Sequence, residues 1–315
     1  MPQYVLVTGG AGFIGSHLVT ALLERGDRVR VLDNFSTGKR ENLVAAASDI
    51  ELHEGDLRES AACIAACRGA DTVFHLGALG SVPRSIQDPI TTNAVNVLGT
   101  LNLLAAAREA GVRRLVFSSS SSVYGDTPTL PKHEAMRLIP RSPYAVSKLA
   151  GEEYCRAFYR TYGFETVALR YFNVFGPRQD PNSAYAAVLP RFLSALTEGR
   201  KTEIYGDGLQ SRDFTYVANV VEANLLAAGA PGAAVAGETF NIACGEQFTI
   251  KRVLTDLAKL LGVDGTPEYK PARAGDVLHS RADITAAYEF LGYHPSVLFY
   301  EGLLRTVRAF TADTC

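Results

Sequence analysis

A glycine-rich turn joins the first strand pattern of this chain to its first helical pattern. The segment reads Val5-Leu-Val-Thr-Gly9-Gly10-Ala-Gly12-Phe-Ile-Gly15-Ser-His-Leu. Gly10, Gly12 and Gly15 fit the spacing G-x-G-x-x-G, and a reading that starts at Gly9 fits the wider G-x-x-G-x-x-G. Such glycines permit a tight turn and a close approach of a pyrophosphate to the backbone, and the helix N-terminus adds partial positive charge. Because the turn follows a strand and opens a helix, we predict that it binds a dinucleotide.

Short β-branched runs alternate with longer Ala- and Leu-rich helical patterns in the first half of the chain. The strand patterns lie at 4–8, 28–32, 50–53, 72–75, 114–118 and 166–170. Helical stretches such as Gly12–Arg25 and Asn93–Ala110 have the length that parallel βαβ crossovers require. This order predicts an α/β fold with a Rossmann-type doubly wound parallel sheet and right-handed crossovers.

The pattern changes near Tyr171, where a loop-rich stretch with Pro177, Pro181 and Pro190 begins. Further strand and helix patterns lie at 203–205, 214–217, 249–261 and 300–310. We expect a smaller C-terminal lobe that binds substrate and is woven with the last strands of the sheet. The predicted division is a dinucleotide-binding domain over residues 1–170 and a mainly substrate-binding lobe over residues 171–315. The boundary is approximate, and the chain can pass between the two parts more than once.

Charge, cysteine content and hydropathy exclude several classes of partner and location for this chain. A formal net charge of -2 leaves no basic surplus to offset a phosphate backbone, so no nucleic-acid partner is expected. The five cysteines are odd in number and scattered, which favours a reducing compartment, the cytoplasm by default. Cys63 and Cys67 lie one helical turn apart without a second pair or a nearby His, so no metal site is expected. Apolar runs are broken by Gly or charge before about 20 residues, so no membrane span is predicted.

An aspartate closes the second predicted strand and bears on the choice of dinucleotide. Asp33 stands where a carboxylate can accept hydrogen bonds from the adenosine ribose hydroxyls, and it would repel a 2′-phosphate. The sequence therefore favours NAD over NADP, although Lys39 and Arg40 leave NADP open. Asp56, after the third strand, could reach the adenine amino group; alone it would be a turn or capping residue.

Tyr144 and Lys148 lie one turn apart at the start of a predicted helix, just after Pro143. A phenol with a pKa near 10 becomes a base near neutral pH if a cation stabilises its phenolate by about 4 kcal/mol. Lys148 and the nicotinamide cation could supply this together, so that Tyr144 exchanges a proton with a sugar hydroxyl while hydride moves to NAD. Taken alone, the Tyr-x-x-x-Lys spacing also fits an ordinary surface pair.

Five consecutive serines, from Ser118 to Ser122, end the fifth predicted strand ahead of Val123-Tyr124-Gly125. The carboxyl end of a parallel strand is where such sheets present groups to ligands. A flexible polar loop is the alternative. The position ahead of the Tyr144 helix favours a hydroxyl that orients the substrate.

The motifs together resemble the extended short-chain dehydrogenase/reductase family, in particular nucleotide-sugar 4-epimerases of the UDP-galactose 4-epimerase type. The resemblance covers nearly the whole chain and rests on Thr8-Gly9-Gly10-Ala-Gly12-Phe-Ile-Gly15, His75-Leu-Gly-Ala78, Asn96-Val-Leu-Gly-Thr100, Tyr144-x-x-x-Lys148, Leu169-Arg-Tyr-Phe-Asn173-Val-Phe-Gly176-Pro, Ser211-Arg212-Asp213-Phe214 and Arg273-Ala-Gly-Asp276. By this resemblance Ser120 is the catalytic hydroxyl, Tyr144 the base and Lys148 its electrostatic partner.

The resemblance also implies which residues contact each ligand. The cofactor NAD would contact Gly9, Gly12, Phe13, Ile14, Gly15, Asp33, Asn34, Ser36, Asp56, Leu57, Leu76, Gly77, Ala78, Asn96, Tyr144 and Lys148. The UDP-sugar would contact Ser81, Ser120, Ser121, Tyr144, Asn173, Gln179, Tyr205, Arg212, Arg273, Asp276 and Ser280. Of the latter, Asn173, Arg212, Arg273 and Asp276 would hold the UDP portion, and arginine suits pyrophosphate because its planar fork donates two hydrogen bonds.

The implied mechanism is transient oxidation at C4, rotation of the 4-keto sugar in the site and return of the hydride to its other face. Dehydratases and decarboxylases of this type carry acidic residues where this chain has Ser121 and Ser122. Without a positioned carboxyl group, water elimination lacks its general acid and base, so epimerisation is favoured. A catalytically silent NAD-binding regulator remains a non-enzymatic alternative.

The substrate size depends on Ser280, which borders the pocket for the C2 substituent in the epimerases that this chain resembles. A small residue there admits an N-acetyl group, and Ser81, Ser121 and Gln179 could hydrogen-bond the amide or sugar. We expect interconversion of UDP-GlcNAc and UDP-GalNAc, together with UDP-glucose and UDP-galactose. Arg84 keeps UDP-hexuronic acids as an alternative, since it could pair with a C6 carboxylate.

The family commonly dimerises through a bundle of two helices from each subunit. The candidate helices here lie around residues 96–108 and 144–159. The resemblance therefore implies a homodimer.

Overall fold

The computed structural model describes residues 2–181, 187–271 and 278–312. Its strands are β1 Tyr4–Thr8, β2 Arg28–Asp33, β3 Ile50–Glu54, β4 Thr72–His75, β5 Arg114–Ser120, β6 Glu165–Tyr171, β7 Val174–Phe175, β8 Glu203–Tyr205, β9 Ser211–Arg212, β10 Thr215–Tyr216, β11 Thr239–Ile242, β12 Phe248–Thr249 and β13 Glu268–Lys270. Its helices are α1 Phe13–Glu24, α2 Ser60–Cys67, α3 Val82–Gln87, α4 Pro89–Asn93, α5 Gly99–Glu109, α6 Pro143–Tyr162, α7 Val188–Thr197, α8 Val217–Gly229, α9 Gly232–Val235, α10 Ile250–Leu261 and α11 Phe299–Ala312. Shorter 3-10 turns span Arg40–Ala46 and Ser121–Tyr124, and π turns span Ala94–Leu98 and Ala287–Leu291.

A seven-stranded parallel sheet forms the centre of the fold, in the order β3-β2-β1-β4-β5-β6-β11. Helices cover both faces, and β1 is accordingly apolar on both sides, with Val5, Leu6 and Val7 fully buried. The strand order reverses between β1 and β4, where open α/β sheets form a ligand crevice at the carboxyl ends of the strands. The predicted Rossmann-type doubly wound sheet is confirmed, with β11 as a seventh strand.

The predicted helix over 93–110 was wrong at its start. Helical structure begins at Pro89 and continues through α4, the π turn and α5 to Glu109. The Asp88 side chain caps this start by accepting a hydrogen bond from the Thr91 backbone N–H at 2.9 Å. Thr91 and Thr92 have low helix propensity, so the first turn carried a weak helical signal in the sequence.

The smaller lobe has its own apolar core, formed by α7, α10, α11 and the short strands between them. Phe175, Phe214 and Phe299 meet at its centre with ring centroids 5.4–6.1 Å apart. The predicted strand over 214–217 was wrong at both ends, because β10 spans Thr215–Tyr216 and Val217 begins α8.

The chain returns to the large sheet after it has entered the lobe. β11 pairs in parallel with β6, and α8 packs against α1. The chain therefore passes between the large sheet and the smaller lobe more than once. The division into domains 1–170 and 171–315 stays a prediction.

One helical segment, Pro89–Glu109, is long and apolar enough to cross a membrane by length and composition alone. Such a segment is weak evidence for a span, and this one packs between α2 and α6. Within the described residues, no cluster of three or more His, Cys, Asp or Glu side chains could hold a metal ion. Cys63, Cys67, Cys155 and Cys244 are buried free thiols.

Candidate active site

A narrow cleft opens at the carboxyl ends of β1, β2, β3 and β4. It is lined by Gly9, Gly12, Leu32, Asp33, Asn34, Ser36, Thr37, Gly38, Gly55, Asp56, Leu57, Leu76, Gly77, Ala78, Leu79 and Val95. Ten residues of the predicted cofactor set are among them. The cleft therefore brings together, from the ends of four strands, residues that are predicted to contact the dinucleotide.

The glycines of the turn are required by close backbone contacts. Gly9 has φ +69°, and a β-carbon there would lie 2.7 Å from the Cα of Gly77 in the loop after β4. A β-carbon on Gly15 would lie 2.1 Å from the Gly9 carbonyl oxygen. Only glycine leaves this cradle at the N-terminus of α1 open, which fits a pyrophosphate.

Asp33 is held rigidly at the end of β2. Its two oxygens accept hydrogen bonds from the backbone N–H groups of Ala11, at 2.9 Å, and Phe35, at 2.8 Å. Burial raises the pKa of this carboxyl, and the two N–H donors oppose the shift. Each oxygen keeps a further lone pair for ribose hydroxyls.

Asp56 faces the same cleft from the loop after β3. Arg58 binds both of its oxygens, at 2.9 and 2.7 Å, and the Asn34 amide donates a hydrogen bond at 2.8 Å. These contacts hold the pKa of Asp56 well below its usual range, so it stays ionised. An ionised acceptor suits the adenine amino group.

Four residues of the predicted cofactor set lie behind the cleft lining. Gly15 is buried under Gly9, and the partly buried Phe13 and Ile14 pack towards the lobe core. Asn96 is 2% exposed within the π turn; it donates hydrogen bonds to the Leu79 carbonyl and the Ser147 hydroxyl, at 3.2 and 3.0 Å. In this structure Asn96 ties the loop after β4 to α6.

Tyr144 lies at the first turn of α6, next to the end of β5. Ser142 caps this helix by accepting a hydrogen bond from the Ala145 N–H at 3.1 Å, and Pro143 occupies its first turn. The Tyr144 hydroxyl lies beside the Ser120 side chain. Burial raises the pKa of Tyr144 more than this neighbour lowers it, so in the protein alone the phenol is protonated at neutral pH.

Lys148 lies one turn further along α6 and is 4% exposed. Its ammonium donates to the Ser118 carbonyl oxygen at 2.7 Å and lies 5.1 Å from the centre of the Phe117 ring. Burial lowers the pKa of Lys148 to about 8, while Glu152 opposes that shift. Lys148 is therefore still a cation at neutral pH.

A larger cleft of about 950 Å³ separates the sheet from the smaller lobe. Asn173, Gln179, Tyr205 and Arg212 of the predicted substrate set line it. It is also lined by residues that sequence reasoning missed, among them Val82, Gln87, Arg191, Glu203 and Gln210. These residues lie on α3, on α7, in β8 and shortly after β8, which are far apart in the sequence and meet only in the folded protein. No local sequence motif indicated them.

The remaining predicted substrate residues have varied surroundings. Ser280 is 8% exposed and accepts a hydrogen bond from the Asn173 amide at 3.2 Å. Ser81 caps α3 by accepting from the Arg84 N–H at 3.2 Å, and Ser121 opens the 3-10 turn after Ser120. Arg273 and Asp276 lie outside the described residues.

Asp213 anchors the wall of the larger cleft. Its carboxylate accepts hydrogen bonds from the backbone N–H groups of Cys244, Gly245 and Ala282, at 3.0–3.1 Å. Its carbonyl oxygen accepts a hydrogen bond from the Asn173 amide at 3.0 Å. Burial raises the pKa of Asp213 to about 7, although the three N–H donors favour the carboxylate. Asp213 thus connects its own segment to the 244–245 loop and to the loop at Ala282, next to Ser280.

A doubly wound sheet with this glycine cradle and a Tyr-x-x-x-Lys helix defines a dinucleotide-dependent short-chain dehydrogenase/reductase. The model of the NAD dependent epimerase/dehydratase family matches residues 5–243. The chain belongs to this family, whose cofactor is NAD.

Three similar proteins illustrate the range of the family. The UDP-glucose 4-epimerase of Mycolicibacterium smegmatis is 42% identical over 97% of both chains. The solved structure of UDP-N-acetylglucosamine 4-epimerase from Methanobrevibacter ruminantium M1, in complex with UDP-N-acetylmuramic acid, matches with a TM-score of 0.94 and 41% identity over 99% of both chains. The UDP-N-acetyl-alpha-D-glucosaminuronate decarboxylase of Bacillus cytotoxicus is 33% identical over 98% of both chains.

Proposed function

We propose that this protein is an NAD-dependent 4-epimerase of UDP-sugars that interconverts UDP-GlcNAc with UDP-GalNAc and UDP-glucose with UDP-galactose. The observation that carries the proposal is the arrangement of Ser120 at the end of β5, Tyr144 beside it in the first turn of α6, and the buried Lys148 one turn further along α6, hydrogen-bonded to the Ser118 carbonyl. This arrangement lies next to β4, whose end contributes to the dinucleotide cleft. The two relatives named as 4-epimerases support the same reaction.

Tyr144 acts as the base on the C4 hydroxyl of the sugar, and Ser120 orients that hydroxyl. NAD held in the dinucleotide cleft would supply a reversible hydride acceptor for C4, so that the reaction would have no net redox change. Lys148 remains cationic at neutral pH and favours the phenolate of Tyr144. Burial raises the pKa of Tyr144, and the positive charge of an oxidised cofactor bound nearby would lower it again.

The UDP portion occupies the larger cleft. Arg212 supplies a guanidinium to the pyrophosphate, and Asn173 and Tyr205 line the same space. The small side chain of Ser280, fixed by Asn173, leaves room beside the C2 position. We therefore assign acetylated and unacetylated hexoses to the same site, with Ser81, Ser121 and Gln179 as hydrogen-bonding partners.

A UDP-hexuronic acid is the second candidate substrate. Helix α3 carries Arg84, and its neighbours Val82, Pro83 and Gln87 line the larger cleft. An arginine on this helix could pair with a C6 carboxylate. Dehydration and decarboxylation are less well supported, because serines occupy positions 121 and 122 where a carboxylic acid would be needed.

We also propose a cytoplasmic homodimer. Large apolar side chains on the outer faces of the α4–α5 segment and α6 are exposed, among them Ile90, Leu98 and Val146. A symmetric bundle of these helices would cover them. The mass of the protein in solution tests the dimer.

A panel of UDP-sugars tests the activity. Isomer exchange without release of NADH is the expected result, with UDP-GlcNAc, UDP-GalNAc, UDP-glucose and UDP-galactose as substrates. Loss of water or carbon dioxide from the sugar would indicate the dehydratase or decarboxylase reaction. No conversion of any panel member would favour a non-enzymatic NAD-binding regulator.

A further inference from the structure

A buried cluster of charged and polar side chains lies directly behind the Ser120–Tyr144 pair. Ser119, Arg170 and Asn241 occupy one row across the adjacent strands β5, β6 and β11. Glu152 on α6 lies above this row, one helical turn beyond Lys148. Glu152 and Arg170 are each 1% exposed, so the whole arrangement is shielded from water.

Glu152 binds two elements of the sheet at once. Arg170 donates to its two oxygens from Nε, at 2.9 Å, and from a terminal nitrogen, at 2.7 Å. Ser119, the residue before Ser120, donates its hydroxyl proton to the same carboxylate. A buried bidentate pair with a third donor is a strong and directional contact.

Arg170 extends the cluster to the far end of the serine turn. It donates to the Tyr124 hydroxyl at 2.9 Å, and that hydroxyl donates to the Asn241 side-chain oxygen at 2.7 Å. The segment Ser119–Tyr124 is therefore held at its first residue by Glu152 and at its last by Arg170. Ser120 lies between these two attachments.

We propose that Glu152 is a positioning residue, which holds the Ser119–Tyr124 segment against the helix that carries Tyr144 and Lys148 and so keeps Ser120 within reach of Tyr144. This inference rests on the proposed roles of Ser120, Tyr144 and Lys148. The position of Ser120 relative to Tyr144 matters for the rate, because misplacement of a reacting group by about 1 Å can lower the rate roughly a hundredfold.

The same carboxylate also faces Lys148. The other ionisable groups that act on Lys148 are Cys155 on α6 and, from β4, the buried His75. Burial lowers the pKa of His75 to about 3, so it is neutral. Burial raises the pKa of Cys155 as well, so this thiol is also uncharged. Glu152 is therefore the charged group among them that keeps Lys148 protonated to higher pH.

The chain offers a matched control for removing this carboxylate. Arg114 on β5 and Glu165 on β6 form a second Arg–Glu pair, with Arg114 donating to Glu165 at 2.9 and 2.7 Å. This pair lies at the amino ends of β5 and β6, roughly 20 Å from Ser120 along the strand. Glu152→Gln and Glu165→Gln therefore break similar pairs at opposite ends of the sheet.

The test compares the two variants in the NAD-loaded enzyme. We expect Glu152→Gln to lower kcat by about tenfold to a hundredfold with KM changed by less than about twofold. The alkaline limb of its kcat–pH profile should move to lower pH, because Lys148 loses the negative charge that raises its pKa. Glu165→Gln should keep the parent kcat and pH profile. Equal kcat values and pH profiles in the two variants would overturn the proposal.

A second pair of variants decides the matter if Glu152→Gln does not fold. Tyr124→Phe removes the hydroxyl that Arg170 and Asn241 share, while Tyr293→Phe removes a similarly buried hydroxyl bonded to the Ala243 carbonyl at 3.0 Å. We expect a several-fold lower kcat in Tyr124→Phe alone. Parent-like kcat in both variants would contradict the role of the cluster.

Amide hydrogen exchange separates this inference from the proposed function. Exchange in residues 119–124 should be faster in Glu152→Gln than in Glu165→Gln whatever the reaction is. If the parent converts no UDP-sugar, the proposed function fails while the exchange rates still test the attachment. If the parent is an epimerase and Tyr144→Phe is inactive, but residues 119–124 exchange at equal rates in the two glutamine variants, the positioning role alone is wrong.

Discussion

Replacement of Gly15 by alanine should abolish tight NAD binding while the sheet still folds. A β-carbon at this position would lie 2.1 Å from the Gly9 carbonyl oxygen and 2.9 Å from the Gly10 Cα. Both contacts are to backbone atoms, so no side-chain rotation relieves them. Forcing an extra methyl group into such a site costs about 1–3 kcal/mol, against a gain of about 1 kcal/mol from replacing glycine within a helix. The Gly9 carbonyl must move by about 1 Å to reach an ordinary contact distance, and that movement distorts the pyrophosphate cradle.

We expect NAD affinity in Gly15→Ala to fall by more than tenfold, which corresponds to about 1.4 kcal/mol. Gly12→Ala should have a smaller effect, because its β-carbon would lie 3.1 Å from the Gly9 oxygen. Gly229→Ala is the matched control, since nothing lies within 4 Å of a β-carbon at the end of α8. The assay is NAD titration together with thermal unfolding of each variant. Parent-like affinity and stability in Gly15→Ala would refute the close approach of α1 to the turn.

Further predictions concern Tyr144, Lys148, Asp33 and Ser280. Tyr144→Phe should lower turnover by at least about a hundredfold with NAD still bound; near-normal turnover would remove Tyr144 as the base. Because Lys148 has a pKa of about 8, its support of the phenolate is present below that pH and lost above it, so kcat should decline above about pH 8. Lys148→Ala should lose this decline and move the rising limb to higher pH; an unchanged profile would contradict the role. Asp33→Ala should weaken NAD binding and narrow the preference over NADP, as measured by titration with both dinucleotides; equal preference in the parent would contradict the ribose contact. Ser280→Tyr should suppress turnover of UDP-GlcNAc and spare UDP-glucose; an equal loss of both would contradict the open pocket.

The sequence was most informative where function depends on short, local patterns. The turn from Gly9 to Gly15 could be predicted because its spacing reflects backbone contacts within one βα unit. Tyr144 and Lys148 could be paired because helical periodicity places them on one face. The position of Ser120 beside Tyr144 at the end of β5 supports the interpretation of the serine run as more than a loop.

Contacts that depend on strand register could not be predicted in the same way. Glu152 and Arg170 are separated by a helix end, a turn and most of a strand; their pairing follows from the packing of α6 on β6, and the register of β5 with β6 then places Ser119 beside them. Arg170 stands alone as a charged residue within a hydrophobic strand pattern, which indicates a buried partner of opposite charge but not which residue that partner is. The start at Pro89 was missed for a different reason, since capping by Asp88 outweighs the weak propensity of the threonines that follow.

The anchoring role of Asp213 has a consequence for engineering the substrate preference of this protein. All three groups that its carboxylate accepts from the loops are main-chain N–H donors, those of Cys244, Gly245 and Ala282. Main-chain donors are supplied by every amino acid except proline. Libraries that randomise the loop positions around Ser280 can therefore sample most side chains without detaching the loop, provided that Asp213 is left unchanged and proline is excluded at positions 280, 282 and 283, whose main-chain N–H groups donate to Ser211, Asp213 and Lys132. Main-chain atoms hold this wall of the cleft in place, whereas loop side chains determine which substrate fits. The substrate specificity can therefore be varied while the loop stays attached.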